Sequence, residues 1–105
     1  MGFGGYSLIN NDTILKLGKY VLIRFEHNLN QGTLILFDTN SFDIWFGNAP
    51  TNDILKLING KNTLANIYDT LLPLYEEYSE NEVIESFNSV IEELLEKNFL
   101  EIKQD

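Results

Sequence analysis

The segment 41–64 constrains the fold more than any other part of the chain; it reads SFDIWFGNAPTNDILKLINGKNTL. Residues 42–46 alternate in their apolar character, and a period of two is typical of a β-strand. The sequence GNAP at 47–50 predicts a turn, and four apolar residues with helical spacing follow it: Ile54, Leu55, Leu57 and Ile58. Asn59-Gly60 then ends this helix, and Thr63 is placed to cap a second one. The segment therefore predicts a strand, a short helix and the start of another helix.

Two more strands are predicted upstream of this segment. Residues 20–26 and 33–38 are rich in β-branched and aromatic side chains, which favour strands. Asn30 and Gly32 lie between them and suit positive φ angles, as a tight turn requires. The three runs, 20–26, 33–38 and 42–46, predict a three-stranded antiparallel meander.

Three helices are predicted after the strands. The first covers about 51–58, and the second begins at Leu64 and is kinked or ended by Pro73, which cannot continue the helical ladder. Ser79 and Glu82 form a capping box at the start of the third. On a helical wheel its apolar residues span about 140°, which is wider than one core-facing seam needs. Residues 99–102 close the chain as an extended segment. The predicted fold class is α+β, a three-stranded antiparallel sheet followed by three helices in a winged-helix-like arrangement.

The segment 54–67 resembles the PqqD-like peptide-recognition domains, also called RiPP recognition elements. Their "IL-x-L-hydrophobic-(Asp/Asn)-Gly" pattern is matched by 54–60, and their "Thr-hydrophobic-x-x-Ile" pattern by 63–67. The spacing of apolar residues in their closing helix is matched by Val83, Phe87, Val90, Ile91 and Leu94. The resemblance covers about 20–102. It divides the chain into an N-terminal extension, 1–19, read as a short strand or hairpin, and a peptide-binding domain, 20–105.

Composition narrows the class of protein. The 105 residues are 44% hydrophobic and 22% charged, as in globular domains, and contain no cysteine, which excludes disulfides and thiolate metal sites. No apolar run approaches the length of a membrane span and no secretory leader is present, so we expect a cytoplasmic protein that does not bind membranes. The net charge of −9 arises entirely from residues 69–105, which carry eleven acidic and two basic residues. This asymmetry predicts a basic partner.

No group of residues in the sequence predicts catalysis. His27, the only histidine, lies at the end of a predicted strand beside Glu26, and we interpret it as a solvated residue and not as a ligand or base. A nucleophile elbow and a glycine-rich phosphate loop are both missing. The glutamates of the third helix are spaced as a solvated face. We therefore expect a non-enzymatic protein with no catalytic residues, no metal site and no cofactor.

The order of elements also suggests a winged-helix DNA-binding regulator. Binding DNA requires lysine and arginine to neutralise phosphates. The third helix instead carries Glu80, Glu82, Glu85, Glu92, Glu93 and Glu96. Its charge argues against a nucleic-acid partner, and this reading is kept only as a minor alternative that a gel shift at low salt would reveal.

The third strand predicts an open sheet edge. It contains no proline or lysine, which usually protect such edges. In the family resembled, the leader of a ribosomally made precursor peptide is added as a strand there, facing the third helix, and is presented to a separate modifying enzyme such as a radical-SAM maturase. By this resemblance, the strand edge in this chain is formed by Phe42, Asp43, Ile44, Trp45 and Phe46. The helix wall is formed by Val83, Ser86, Phe87 and Val90.

The sequence leaves open what else covers the strand edge and the faces of the sheet. The edge could be covered by the third helix or by residues 6–17. Both faces of the sheet are apolar, with Val21, Ile23 and Phe25 predicted on one side and Tyr20, Leu22 and Trp45 on the other. In a sheet with one solvent-exposed face, apolar and polar residues alternate more regularly along each strand. Residues 6–17, a partner or a second copy would cover the second face, and in the last case the chain would be a homodimeric adaptor.

Overall fold

The computed structural model describes residues 9–103, and its fold is α+β as predicted. A 3₁₀ helix, Leu72–Tyr75, lies between the second and third α-helices. The strands are β1 Leu15–Leu17, β2 Val21–Glu26, β3 Thr33–Asp38, β4 Ile44–Asn48 and β5 Leu100–Ile102. The α-helices are α1 Ala49–Leu55, α2 Leu64–Leu71 and α3 Glu80–Glu96.

Strands β2, β3 and β4 form the predicted antiparallel meander, in that order across the sheet. The third strand begins two residues later than predicted. Phe42 has a φ of 68°, and its amide donates a 2.8 Å hydrogen bond to the carbonyl of Asp38, so residues 38–43 form a turn. Gly32, with a φ of 112°, lies at the end of the β2–β3 turn, which confirms its predicted positive φ.

A second sheet was not predicted as such. Strand β1, in the described part of the predicted extension, pairs antiparallel with β5 near the other end of the chain, with Leu15 opposite Ile102. Leu15 is fully buried in the core. Residues 9–17 therefore pack beside β5 and the start of α2, where the carbonyl of Thr13 accepts from the amide of Leu64. Residues 6–8 of the predicted covering segment lie outside the described residues.

The helix boundaries follow the predicted capping residues. Thr63 accepts from the amide of Asn66 at the start of α2, and Ser79 and Glu82 form the capping box of α3. Helix α1 begins earlier than predicted, because Asn48 caps it ahead of Pro50, and it ends at Leu55 rather than at residue 58. Pro73 ends α2 as predicted, within the 3₁₀ helix.

The two faces of the three-stranded sheet differ in their surroundings. Leu34 and Leu36 of β3 are fully buried on the inner face, which packs against the helices. Trp45 lies opposite Leu36, so it belongs to this inner face; its predicted place beside Leu22 was wrong. The outer face is formed by Leu22, Arg24, Glu26, Thr33, Ile35, Phe37, Ile44, Phe46 and Asn48, which the register sets side by side.

Within residues 9–103, no helix combines the length and the apolar character needed to cross a membrane.

Candidate functional site

Strand β4 presents one unpaired edge. Among the described residues it pairs only with β3. The amide of Asp38 donates to the carbonyl of Asp43 at 2.9 Å, and hydrogen-bonded pairs alternate along an antiparallel ladder. Trp45 and Gly47 therefore direct their backbone groups toward β3, whereas Ile44 and Phe46 direct theirs away from the sheet. The free N–H and C=O groups of Ile44 and Phe46 can accept an added strand.

Trp45 connects this edge to α3. Its half-buried indole lies on the inner face, and Nε1 donates a 2.7 Å hydrogen bond to Oε2 of Glu93. Gly47 provides the space for the ring, because a Cβ built there would lie 2.5 Å from Cζ3 of Trp45. The hydrogen bond places α3 beside β4. We call the surface between the β4 edge and this side of α3 the groove.

The flank of α3 that faces β4 is narrower than predicted. Ser86, Val90 and Glu93 lie within about 60° of one another on the helix, and the bond to Trp45 directs this flank toward β4. Ser86 is exposed and Val90 is half-buried, so both are available at the surface.

Two residues predicted for the helix wall belong to the core instead. Val83 and Phe87 are only 7% and 6% exposed. The ring of Phe87 stacks on Tyr68 and meets Tyr75 edge-on, with centroids 6.5 Å and 5.6 Å away. The ring of Phe87 therefore points toward α2 and the 3₁₀ helix. Val83 lies only about 20° from Val90 around the helix, but its side chain is buried in the core.

Phe42 and Asp43 lie in the turn before β4 and not on its edge. The amide of Asp43 donates to Oγ of Ser41, and its carbonyl accepts from Asp38. Phe42 is exposed, and its ring lies 6.3 Å from that of Phe37 on the outer face. Of the five residues predicted at the edge, Ile44, Trp45 and Phe46 are in β4 itself.

Glu93 is a site residue that the sequence analysis did not select. It was grouped with the solvated glutamates of α3. Its position three residues after Val90 and seven after Ser86 is the signal that places it on the same flank. Glu93 bonds to Trp45 and the exposed Asp43 directly precedes β4, so the groove carries negative charge near the start of this strand.

Two tyrosines contact Phe87 of α3 through their rings and form hydrogen bonds through their hydroxyls. The hydroxyl of Tyr68 in α2 donates to Oδ1 of Asn88, and that of Tyr75 donates to Asp53 at 2.9 Å. Burial, and then the charge of Glu92, raises the pKa of Tyr68 to about 12. Burial, and then the hydrogen bond to Asp53, raises the pKa of Tyr75 to about 12. The Tyr68 bond joins α2 to α3, and the Tyr75 bond joins the 3₁₀ helix to α1.

Two shallow concavities, of about 410 and 520 Å³, lie beside the 3₁₀ helix and at the β2–β3 turn. Neither is lined by a predicted site residue. A strand-addition site needs an open edge and not an enclosed cavity, so the groove beside β4 is the stronger candidate. His27 is exposed at the β2–β3 turn, with its ring edge-on to Phe25 at 4.8 Å.

No protein-family model, curated protein or solved structure matches the chain. The resemblance to the PqqD-like domains therefore stays a prediction from the residues that carry it.

Proposed function

We propose that this chain binds an extended peptide as an additional strand on β4, in the groove beside α3. By the resemblance of residues 54–67, the peptide is the leader of a ribosomally made precursor, and the chain presents it to a separate modifying enzyme such as a radical-SAM maturase. The chain itself binds the peptide and catalyses no reaction. We place this activity in the cytoplasm, where precursor peptides are made.

The observation that carries the proposal is the pair of outward-facing backbone positions, Ile44 and Phe46, next to a helix flank. An incoming strand pairs with alternate residues of an edge, so both positions would bond to it. The five residues of β4 fit a peptide segment of similar length. The unprotected edge supports a binding role, because natural edges are usually protected by lysine, proline or a bulge.

The side chains around the groove indicate what kind of peptide fits. Val90 and the indole of Trp45 offer apolar contact, while Glu93 and Asp43 offer negative charge. A bound strand directs alternate side chains to opposite sides. We therefore expect an extended peptide that combines apolar residues toward α3 with lysine or arginine near the start of β4.

The experiment starts from a displayed library of random fifteen-residue peptides selected against the protein. Binding of the selected peptides is then compared between Val90→Glu and Leu95→Glu. Both side chains are half-buried on α3, but they lie about 140° apart on the helix. The two variants have the same net charge and replace side chains of the same burial class, so a difference in affinity between them measures contact in the groove.

We expect Val90→Glu to weaken binding by about tenfold or more and Leu95→Glu to bind as the unmodified protein does. Ile44→Pro removes an outward N–H and should also abolish binding. Equal affinities for the Val90 and Leu95 variants would contradict the proposal, because the peptide would then lie elsewhere.

A further inference from the structure

The outer face of the sheet is a second surface, independent of the groove. Five apolar side chains form a block on it, in two rows across the three strands: Leu22, Phe37 and Ile44, then Ile35 and Phe46. Phe42 extends the block beyond Phe37. Leu22 and Phe46 are each 60% exposed, Ile44 is 53% exposed and Phe42 is 74% exposed. Nothing in residues 9–103 covers this block. Exposed apolar patches of this kind usually mark interaction sites.

The charges on this face set it apart from the rest of the surface. It carries only Arg24 and Glu26, whose side chains form an ion pair of 2.8 Å, so its net charge is zero. Helix α3, by contrast, carries six glutamates and no basic residue. Two copies of the chain that met through their helices would bring like charges together, whereas two that met through the outer faces would not.

We infer that the outer face is the interface of a homodimer, with two sheets packed face to face around a twofold axis. A twofold interface must be complementary to itself. A neutral apolar block with one acid and one base at its side meets this requirement, since Arg24 of each copy can approach Glu26 of the other.

The exposed area is sufficient for such an interface. Phe42 and Phe46 alone expose roughly 250 Å² in each copy, taking about 200 Å² for a phenylalanine side chain. Leu22, Ile44, Ile35 and Phe37 add a comparable area. A face-to-face pair therefore approaches the total of about 1,000 Å² that separates specific interfaces from incidental contacts.

Packing through the outer face leaves the groove free, because α3 lies on the opposite side of the sheet. The dimer would then present two β4 edges and bind two peptides. This inference does not depend on the proposed function, and peptide binding and dimerisation can fail separately.

The test is sedimentation equilibrium of Leu22→Glu and Leu74→Glu beside the unmodified protein, without peptide. Leu22 lies on β2, away from the groove, and Leu74 lies in the 3₁₀ helix, 63% exposed. Both variants exchange an exposed leucine for glutamate, so they match in net charge. We expect dimers for the unmodified protein and for Leu74→Glu. We expect Leu22→Glu to weaken the dimer by at least about tenfold, because its carboxylate would be desolvated without a partner.

A second variant separates loss of the dimer from misfolding of the protein. Leu22→Thr keeps a residue that favours strands and should also weaken the dimer. An unmodified protein that is monomeric at high micromolar concentration would overturn the inference, as would a dimer that survives both Leu22 variants. A monomer that binds a hydrophobic dye only after deletion of residues 2–8 would also overturn it, and would assign the face to the chain's own N-terminal segment.

Discussion

The indole of Trp45 in β4 donates a 2.7 Å hydrogen bond to Glu93 in α3, which lies 48 positions later in the chain. This bond joins the strand edge and the helix flank that form the two sides of the candidate groove. Because Trp45 is the only tryptophan, its fluorescence reports directly on this connection.

Replacing Glu93 with alanine should release the indole. We expect Glu93→Ala to lower the free energy of unfolding by about 1 kcal/mol, the usual net value of one hydrogen bond. Acrylamide should quench the tryptophan more strongly, because the ring becomes more mobile. Glu85→Ala, on the solvated side of α3, should change neither property. Unchanged quenching in Glu93→Ala would mean that the bond does not hold the ring in solution.

Gly47 is predicted to be essential for the position of Trp45. In Gly47→Ala the new methyl group would lie 2.5 Å from Cζ3 of the indole, so the rigid ring must move. We expect a loss of stability of about 1–3 kcal/mol, as for other overpacked sites, and a shift in the emission maximum. A denaturant titration followed by fluorescence measures both. A variant of unmodified stability and emission would contradict the placement of the ring over Gly47.

Stability should fall in strongly alkaline solution because of Tyr68 and Tyr75. Their folded-state pKa values of about 12 exceed the ordinary value of 10.0, so the unfolded chain loses these protons first. The stabilisation is complete below pH 10 and is lost as the pH rises toward 12. Absorbance at the tyrosinate band should show two late titration steps, one for each of these tyrosines. Tyr68→Phe should remove one of the two steps.

Peptide binding should depend on ionic strength. Asp43 and Glu93 lie beside the groove, and the whole chain has a net charge of −9. Affinity for a selected basic peptide should fall as salt rises from low to physiological concentration, since screening weakens charge attraction. A titration by calorimetry at both concentrations measures the change. An affinity that does not depend on salt would show that apolar contacts and backbone bonds alone select the peptide.

Local sequence signals predicted most of the fold. Residues 33–38 and the caps at Thr63 and Ser79 were correct because alternation and capping depend on near neighbours. The pairing of β1 with β5 could not be predicted in the same way. Each strand has only three residues, and their partners lie more than eighty positions apart, where periodicity carries no information.

The candidate site was predicted less completely than the fold. A helical wheel shows that the apolar arc of α3 is wide, but not which edge of the arc faces β4. The structure divides this arc: Val83 and Phe87 are buried, Phe87 against tyrosines from two other elements, whereas Val90 is half-buried. Trp45 was assigned to the wrong face because a one-position uncertainty in register reverses every side chain of a strand.

Amide hydrogen exchange along β4 tests the central claim most directly. In the free protein, the amides of Ile44 and Phe46 should exchange rapidly, and those of Trp45 and Gly47 slowly, because only the latter bond to β3. Saturation with a selected peptide should protect Ile44 and Phe46. If these two amides are already protected in the free protein, or stay unprotected in the complex, the peptide does not add as a strand at this edge.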